Sequence, residues 1–429
     1  MNSALLRRGR TALALFSTTL LLLACGGSGD SPARGSGAGG GEVPAQAAQG
    51  MVSSAHPLAT EAGLEILAKG GNAFDAAVAV AAALNVVEPM MSGMGGYGTI
   101  LVYSAEEGRA RFLNSSGRIP RGVDSDVFRS PTPNYRENRR GPKAISTPGN
   151  VQAWSAMSEN YGVLPWPDLF EPAARLAEEG FNIDARAAGS IESAWEDFPD
   201  HVRAFYGTEG RPLEEGERLV QADLARSLRL VAAEGPQVLH GGALGEAIDA
   251  AMQESGSFLR LSDLAEMEAE WWEPIQIDYR GHQVMVPPPP ANSFPALVRL
   301  GMMSLVDVEG LGHNSVDYLH VYAEVTKRAF WIRLRYAGDP EVNPPPLDTL
   351  LSAEYWEEAS RPISMYEALP FAPPTMAGTR EVPDGHTTHF VVADSNGNVV
   401  SATQTLGNAF GSRIMAEGTG IWLNNSLAY

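Results

Sequence analysis

With a single cysteine, Cys25, in 429 residues, the chain can form no internal disulfide. Basic charge is also scarce. The 31 Lys and Arg against 51 Asp and Glu give a formal net charge of −20, a field that repels phosphate backbones and argues against a nucleic-acid partner. No H-E-x-x-H motif or Cys/His cluster is present, so the sequence implies no metal, and it implies no organic cofactor either. The G-x-S-x-G elbow of α/β-hydrolases is missing, and no internal repeat is visible. What is there suits a folded protein: 44% hydrophobic and 19% charged residues, at a length that fits one large domain or two.

The first segment does not read as part of that fold. Arg7, Arg8 and Arg10 precede an apolar run of 14 residues, 11–24, too short for a comfortable membrane span but suited to an export signal. It ends in Leu22-Leu23-Ala24-Cys25, which resembles the lipobox of bacterial lipoproteins, whose cysteine sulfur receives a diacylglycerol. Residues 1–24 are therefore expected to be a lipoprotein signal peptide and Cys25 the lipidated residue. A Gly/Ser-rich stretch, 25–49, then reads as a flexible tether. This predicts an exported protein, lipid-anchored to the bacterial cell envelope on its periplasmic or surface side.

Order is expected from Met51. Leu58, Ala62, Ile66 and Leu67 share one face of a helix over 56–71, with Pro57 near its start and Gly70-Gly71 at its end. Asn72 is placed to cap a second, alanine-rich helix over 73–87. Gly93, Gly95 and Gly98 spell G-x-G-x-x-G, but a dinucleotide fingerprint needs strand, glycines, then helix. Here the order is helix, glycines, strand (99–103), and the cofactor reading fails. A second strand follows at 110–114. The middle of the chain is mainly helical, 274–290 returns to strand alternation around an Arg-Gly turn, and 316–338 is the longest helical pattern. Strand pairs between helical blocks predict a layered α+β protein.

One strand carries the chemistry. His386-Thr387-Thr388-His389 opens a hairpin after a proline-rich segment, 361–386, where a chain can be cut without breaking a core. Threonines are ordinary on half-exposed strands, so a plain hairpin is one reading. The other is that Thr387 becomes a new N-terminus, whose α-amine, with a reference pKa of about 8, can take the proton from its own hydroxyl. Two registers fit the turn. A three-residue Ser395-Asn396-Gly397 loop sets Thr387 opposite Thr405, and a two-residue Asn-Gly loop sets Thr388 there. The first is preferred, because it gives the nucleophile a hydroxyl partner. His386 and His389 straddle the threonines, and two histidines alone are poor evidence for a metal.

Six blocks follow one another: 51–98, STPGNVQAW (146–154), LFEPAARLAEEGF (169–181), WWEPIQIDYRG (271–281), KRAFWIRLRYAGDPE (327–341) and 386–412. In content and order they resemble the gamma-glutamyltransferase (gamma-glutamyltranspeptidase) family of N-terminal nucleophile hydrolases. The resemblance implies a four-layer αββα sandwich, cleavage between His386 and Thr387, Thr387 as nucleophile and Thr405 as its supporting hydroxyl. It also implies a large-subunit region, 51–386, and the start of a small-subunit region, 387–429, associated as a heterodimer of two self-cleaved fragments. The substrates would be a small-molecule amide or gamma-glutamyl peptide, with water or an amine as acceptor.

Four positions depart from the family's glutamyl-binding pattern. Ser116 stands where an arginine holds the substrate α-carboxylate, with Arg118 two residues on. Gly407 stands for an asparagine, with Asn408 beside it, and Ser426 and Tyr429 stand for later amino- and carboxylate-contacting residues. Arg118, Ser116, Asn408 and Ser426 are thus the candidate substrate-binding residues. The family's small subunit runs far beyond the length of 387–429, so a fragment or truncated product is expected. The primary expectation is a self-processing gamma-glutamyltransferase-like or glutathione hydrolase-like enzyme. An acylase or amidohydrolase of the same fold with a non-glutamyl acyl donor is one alternative. An inactive lipid-anchored binding protein is another.

Overall fold

The computed structural model describes residues 50–124, 126–129, 137–370 and 386–428. Residues 1–49, with the expected signal peptide, Cys25 and the expected tether, most of the proline-rich segment and Tyr429 lie outside the described residues. Helix α1, Pro57–Ala68, begins where the His56 ring accepts the Leu58 amide at 3.2 Å. It gives way at Gly70, whose φ of 95° only glycine adopts readily. Asn72 and Asp75 then form a capping box, each side chain accepting the other's backbone amide, and helix α2 runs from Ala73 to Val87. Every residue of α2 is buried. Its alanines let neighbours approach closely, and a helix apolar all round belongs in a core. Helix Glu171–Glu179 lies against α2, and Ala222–Glu234 lies against that helix in turn.

The main sheet has six strands: β1 (Gly50–Ser53), β2 (Tyr97–Ser104), β3 (Arg109–Asn114), β4 (Glu270–Trp272), β7 (His386–Asp394) and β8 (Val399–Gly407). Their order is β1-β7-β8-β2-β3-β4, and every neighbour is antiparallel. Alternation sorts its two faces. Thr388, Phe390 and Val392 on β7, Val400, Ala402 and Gln404 on β8, and Ile100 and Val102 on β2 are all buried, and α2 covers both hairpin strands. Thr387, His389, Ser401, Thr403 and Thr405 point to the opposite, polar face. The nucleophile candidate therefore sits on the face away from α2.

Strands β5 (Ile275–Tyr279) and β6 (His282–Val286) form a separate hairpin. Its Arg280-Gly281 turn has φ of 55° and 81°, as a two-residue hairpin turn requires. Helices Phe294–Ser304, Val316–Tyr336 and Ala353–Ser360 enclose a second apolar cluster around Val298, Met302 and Val325. The described residues thus hold a six-stranded antiparallel sheet and this separate hairpin. Among them, no helix is long and apolar enough to cross a membrane.

Candidate active site

The turn between β7 and β8 decides the register. The Asp394 amide donates to the Asn398 carbonyl at 3.1 Å, and Gly397 takes a φ of 89°. The Asp394 carboxylate accepts the amides of Asn396 and Asn398. This is the three-residue loop, and Thr387 stands opposite Thr405. The same carboxylate accepts the Ala73 amide at 3.0 Å, which pins the turn to the positive end of α2.

At the other end of the hairpin the ladder slips. Thr387 pairs with Thr405, but His386 pairs with Gly407, leaving Leu406 as an extra residue. Such bulges re-aim backbone and side chains. The Thr387 hydroxyl donates to Thr405 Oγ1 at 3.0 Å, Thr405 Oγ1 donates to the His386 carbonyl at 2.7 Å, and the Gly407 amide donates to Thr405 Oγ1 at 2.8 Å. A hydroxyl has one proton and two lone pairs, so Thr405 is fully used. Its single proton lies on the carbonyl of the His386–Thr387 peptide bond. Thr387 itself is exposed, while Thr405 is 8% exposed. The His389 ring bonds the Thr403 hydroxyl at 2.8 Å, one step along the same face.

Thr388 faces inward and donates to Glu88 Oε2 at 2.7 Å, and Arg186 reaches Glu88 Oε1 at 3.2 Å. Burial pushes the Glu88 carboxyl above its ordinary pKa, with the Thr388 hydrogen bond and the Arg186 charge opposing that shift.

A loop network backs the threonine pair. Asn424, fully buried, accepts the Ser146 amide and hydroxyl and the Ser426 amide, and donates to the Gly95 and Ser146 carbonyls. Asn425 accepts the Asn408 amide at 2.9 Å, donates to the Arg139 carbonyl at 2.8 Å and bonds the Leu406 carbonyl through its own amide. Asn408 and Ser426 are thereby tied by their backbones to the strand end that carries Thr405. The glycines of 93–98 serve close approach rather than phosphate binding. A Cβ on Gly96 would stand 2.4 Å from the Thr405 carbonyl, and one on Gly95 2.1 Å from that of Trp422.

The other two candidates are occupied differently. Ser116, half-buried, donates its hydroxyl to the Gly98 carbonyl at 3.2 Å, at the start of β2. Arg118 is exposed and pairs with Glu270 at 2.6 Å on edge strand β4. Four strand spacings separate β4 from β7, about 19 Å along the sheet. Tyr429 and Cys25 lie outside the described residues. Glu88, Asn424 and Asn425 were not apparent as site residues from the sequence. The Asn-Asn doublet carries no periodic or motif signal, and most polar partners of the three lie far away in the chain. Among the described residues, no three His, Cys, Asp or Glu side chains converge to hold a metal.

The family model described as gamma-glutamyltranspeptidase matches residues 59–429. The chain belongs to the gamma-glutamyltranspeptidase family. Its relatives include acylases and glutathione hydrolases. Acylase ACY 1 proenzyme of Pseudomonas sp. (strain V22) is 37% identical over 393 residues, covering 89% of this chain and 70% of that protein. Glutathione hydrolase proenzyme of Escherichia coli (strain K12) is 34% identical over 390 residues, covering 90% of this chain and 67% of its own length. Among solved structures, cephalosporin acylase from Bacillus halodurans superposes with a TM-score of 0.79 at 31% identity, over 89% of this chain and 70% of that one. The chain is thus a gamma-glutamyltranspeptidase-family protein of mixed α+β fold, with both acylases and glutathione hydrolases as kin.

Proposed function

We propose that the chain cuts itself between His386 and Thr387 and then uses Thr387 as an N-terminal nucleophile on amide substrates. One observation carries this reading: the hydroxyl chain from Thr387 through Thr405 to the His386 carbonyl. In the first step Thr387 Oγ1 attacks the His386 carbonyl carbon while Thr405 donates to its oxygen. The C–N bond breaks as the hydroxyl proton passes to the peptide nitrogen, which leaves as the Thr387 α-amine, and water hydrolyses the resulting ester to the His386 carboxylate and the free Thr387 hydroxyl. In turnover the same hydroxyl attacks a substrate amide, and the α-amine takes its proton and passes it to the leaving amine. Water or an amine then receives the acyl group. Both fragments stay together, because β7 and β8 of the small fragment are hydrogen-bonded to β1 and β2 of the large one. Intact-mass analysis tests the reading. A fragment beginning at Thr387 should appear in wild type and vanish in Thr387→Ala, and cleavage that survives the substitution would refute it.

For the acyl group we favour a non-glutamyl donor over a gamma-glutamyl one. A glutamyl α-carboxylate needs a cation, since a buried charge left unpaired is costly. Ser116 offers only a hydroxyl already bonded to Gly98, and Arg118 is bound to Glu270. γ-Glutamyl-p-nitroanilide should be turned over less efficiently than simple acyl anilides, and a preference for the glutamyl compound lost in Arg118→Ala would reverse this choice. We also propose that the mature protein is exported and anchored through lipidated Cys25. Fatty-acid label retained by Cys25→Ser would exclude that.

A further inference from the structure

We infer that Thr388 and Glu88 are positioning residues that set the height of the Thr387 hydroxyl above the sheet, through a buried, charged hydrogen bond to the end of α2. The inference rests on the reading of Thr387 as nucleophile. Consecutive strand residues point to opposite faces, so Thr387 emerges on the polar side while Thr388, 2% exposed, points at α2. There its hydroxyl meets Glu88 at 2.7 Å. Threonine is stiff about χ1, so holding its oxygen holds its Cβ and backbone, one peptide from the nucleophile.

Glu88 is an expensive choice for this place. It is 3% exposed and caps the C-terminus of α2, where the helix dipole disfavours an anion. Among the described residues the cation paired with it is Arg186 at 3.2 Å, itself half exposed, and Asp184 adds a repelling charge. Filling space between helix and sheet would need no carboxylate. The residues that follow Glu88 reference the other strand: the Met91 carbonyl accepts the Leu406 amide at 3.0 Å, the Met90 carbonyl accepts that of Phe410 at 3.1 Å, and Ser92 accepts Gln404 at 3.0 Å. Segment 88–92 is therefore one platform holding both strands where Thr387 meets Thr405. With Asp394 bound to the Ala73 amide at the far end, β7 is fixed to α2 at both of its termini.

The experiment uses the full chain and four variants, Thr388→Val, Thr388→Ser, Glu88→Gln and Thr387→Ala. Self-cleavage is followed by intact mass, stability by thermal midpoint, and local order by amide hydrogen exchange. Near-attack geometry is sensitive to shifts of about 1 Å, so Thr388→Val should slow cleavage about 10- to 100-fold and Thr388→Ser should restore it. In cleaved protein the loss should fall on kcat with KM unchanged. Glu88→Gln removes a buried charge, so it should slow cleavage without lowering the thermal midpoint at pH 7. Wild-type cleavage rates in folded Thr388→Val, or failure of Thr388→Ser to restore them, would overturn the inference. So would a Glu88→Gln variant that loses rate and stability together. If Thr387→Ala is cut like wild type, or wild type is not cut, the nucleophile reading fails separately. Exchange then decides the positioning claim: Thr388→Val should loosen 386–390 alone, and unchanged exchange there would overturn it.

Discussion

Replacing Thr405 by valine removes one oxygen and almost no volume, yet it breaks three hydrogen bonds at once. Two effects follow, and they fall on different observables. The buried Gly407 amide loses its acceptor, which should cost about 1–3 kcal/mol of stability. The His386 carbonyl loses the donor that would stabilise its oxygen as Thr387 attacks. One such donor is typically worth about 100- to 1000-fold in rate, so cleavage should slow by that order. Thr405→Ser keeps the hydroxyl and should retain most of the rate. The assay is the time course of the Thr387-starting fragment by intact mass, beside urea denaturation of each variant. Cleavage by folded Thr405→Val within about threefold of wild type would refute the role assigned to this hydroxyl, because loss of an oxyanion donor typically costs about 100-fold or more.

Three further outcomes follow from the same geometry. Gly96→Ala places a Cβ against the Thr405 carbonyl and 3.0 Å from Asn150 Nδ2, and should destabilise by about 1–3 kcal/mol in urea denaturation. Asn424→Ala strands several buried partners and should cost about 3 kcal/mol by the same measurement, with Ser426 losing its anchor. His240 is 1% exposed, and burial lowers its pKa to about 4. Below pH 6.5 the unfolded histidine takes a proton that the folded one refuses, so stability is lost as pH falls from 6.5 towards 4. The loss should reach about 2 kcal/mol between pH 7 and pH 5, and His240→Gln should flatten it.

Much of this molecule is legible wherever a rule acts over a few residues. Asn72 and Asp75 mark the start of α2 by mutual capping, and Gly70 marks the end of α1 by its left-handed backbone. Asp394 and Gly397 shape a three-residue turn, and because side chains alternate strictly along a strand, that turn alone places Thr387 against Thr405. Other features depend on partners hundreds of residues apart, which no local pattern announces. Strand β1 lies beside β7 through pairing of Met51 with Ala393. Glu88 looks like any residue after a helix until Thr388 is brought onto it. Arg118 looks free to serve a substrate until β4 arrives at the sheet edge and Glu270 takes it. Turns and caps are settled by backbone sterics and hydrogen bonds within one segment. The bonding partner of a buried polar group is settled only when distant segments leave water together, because each such group must then be satisfied by whatever the fold puts beside it.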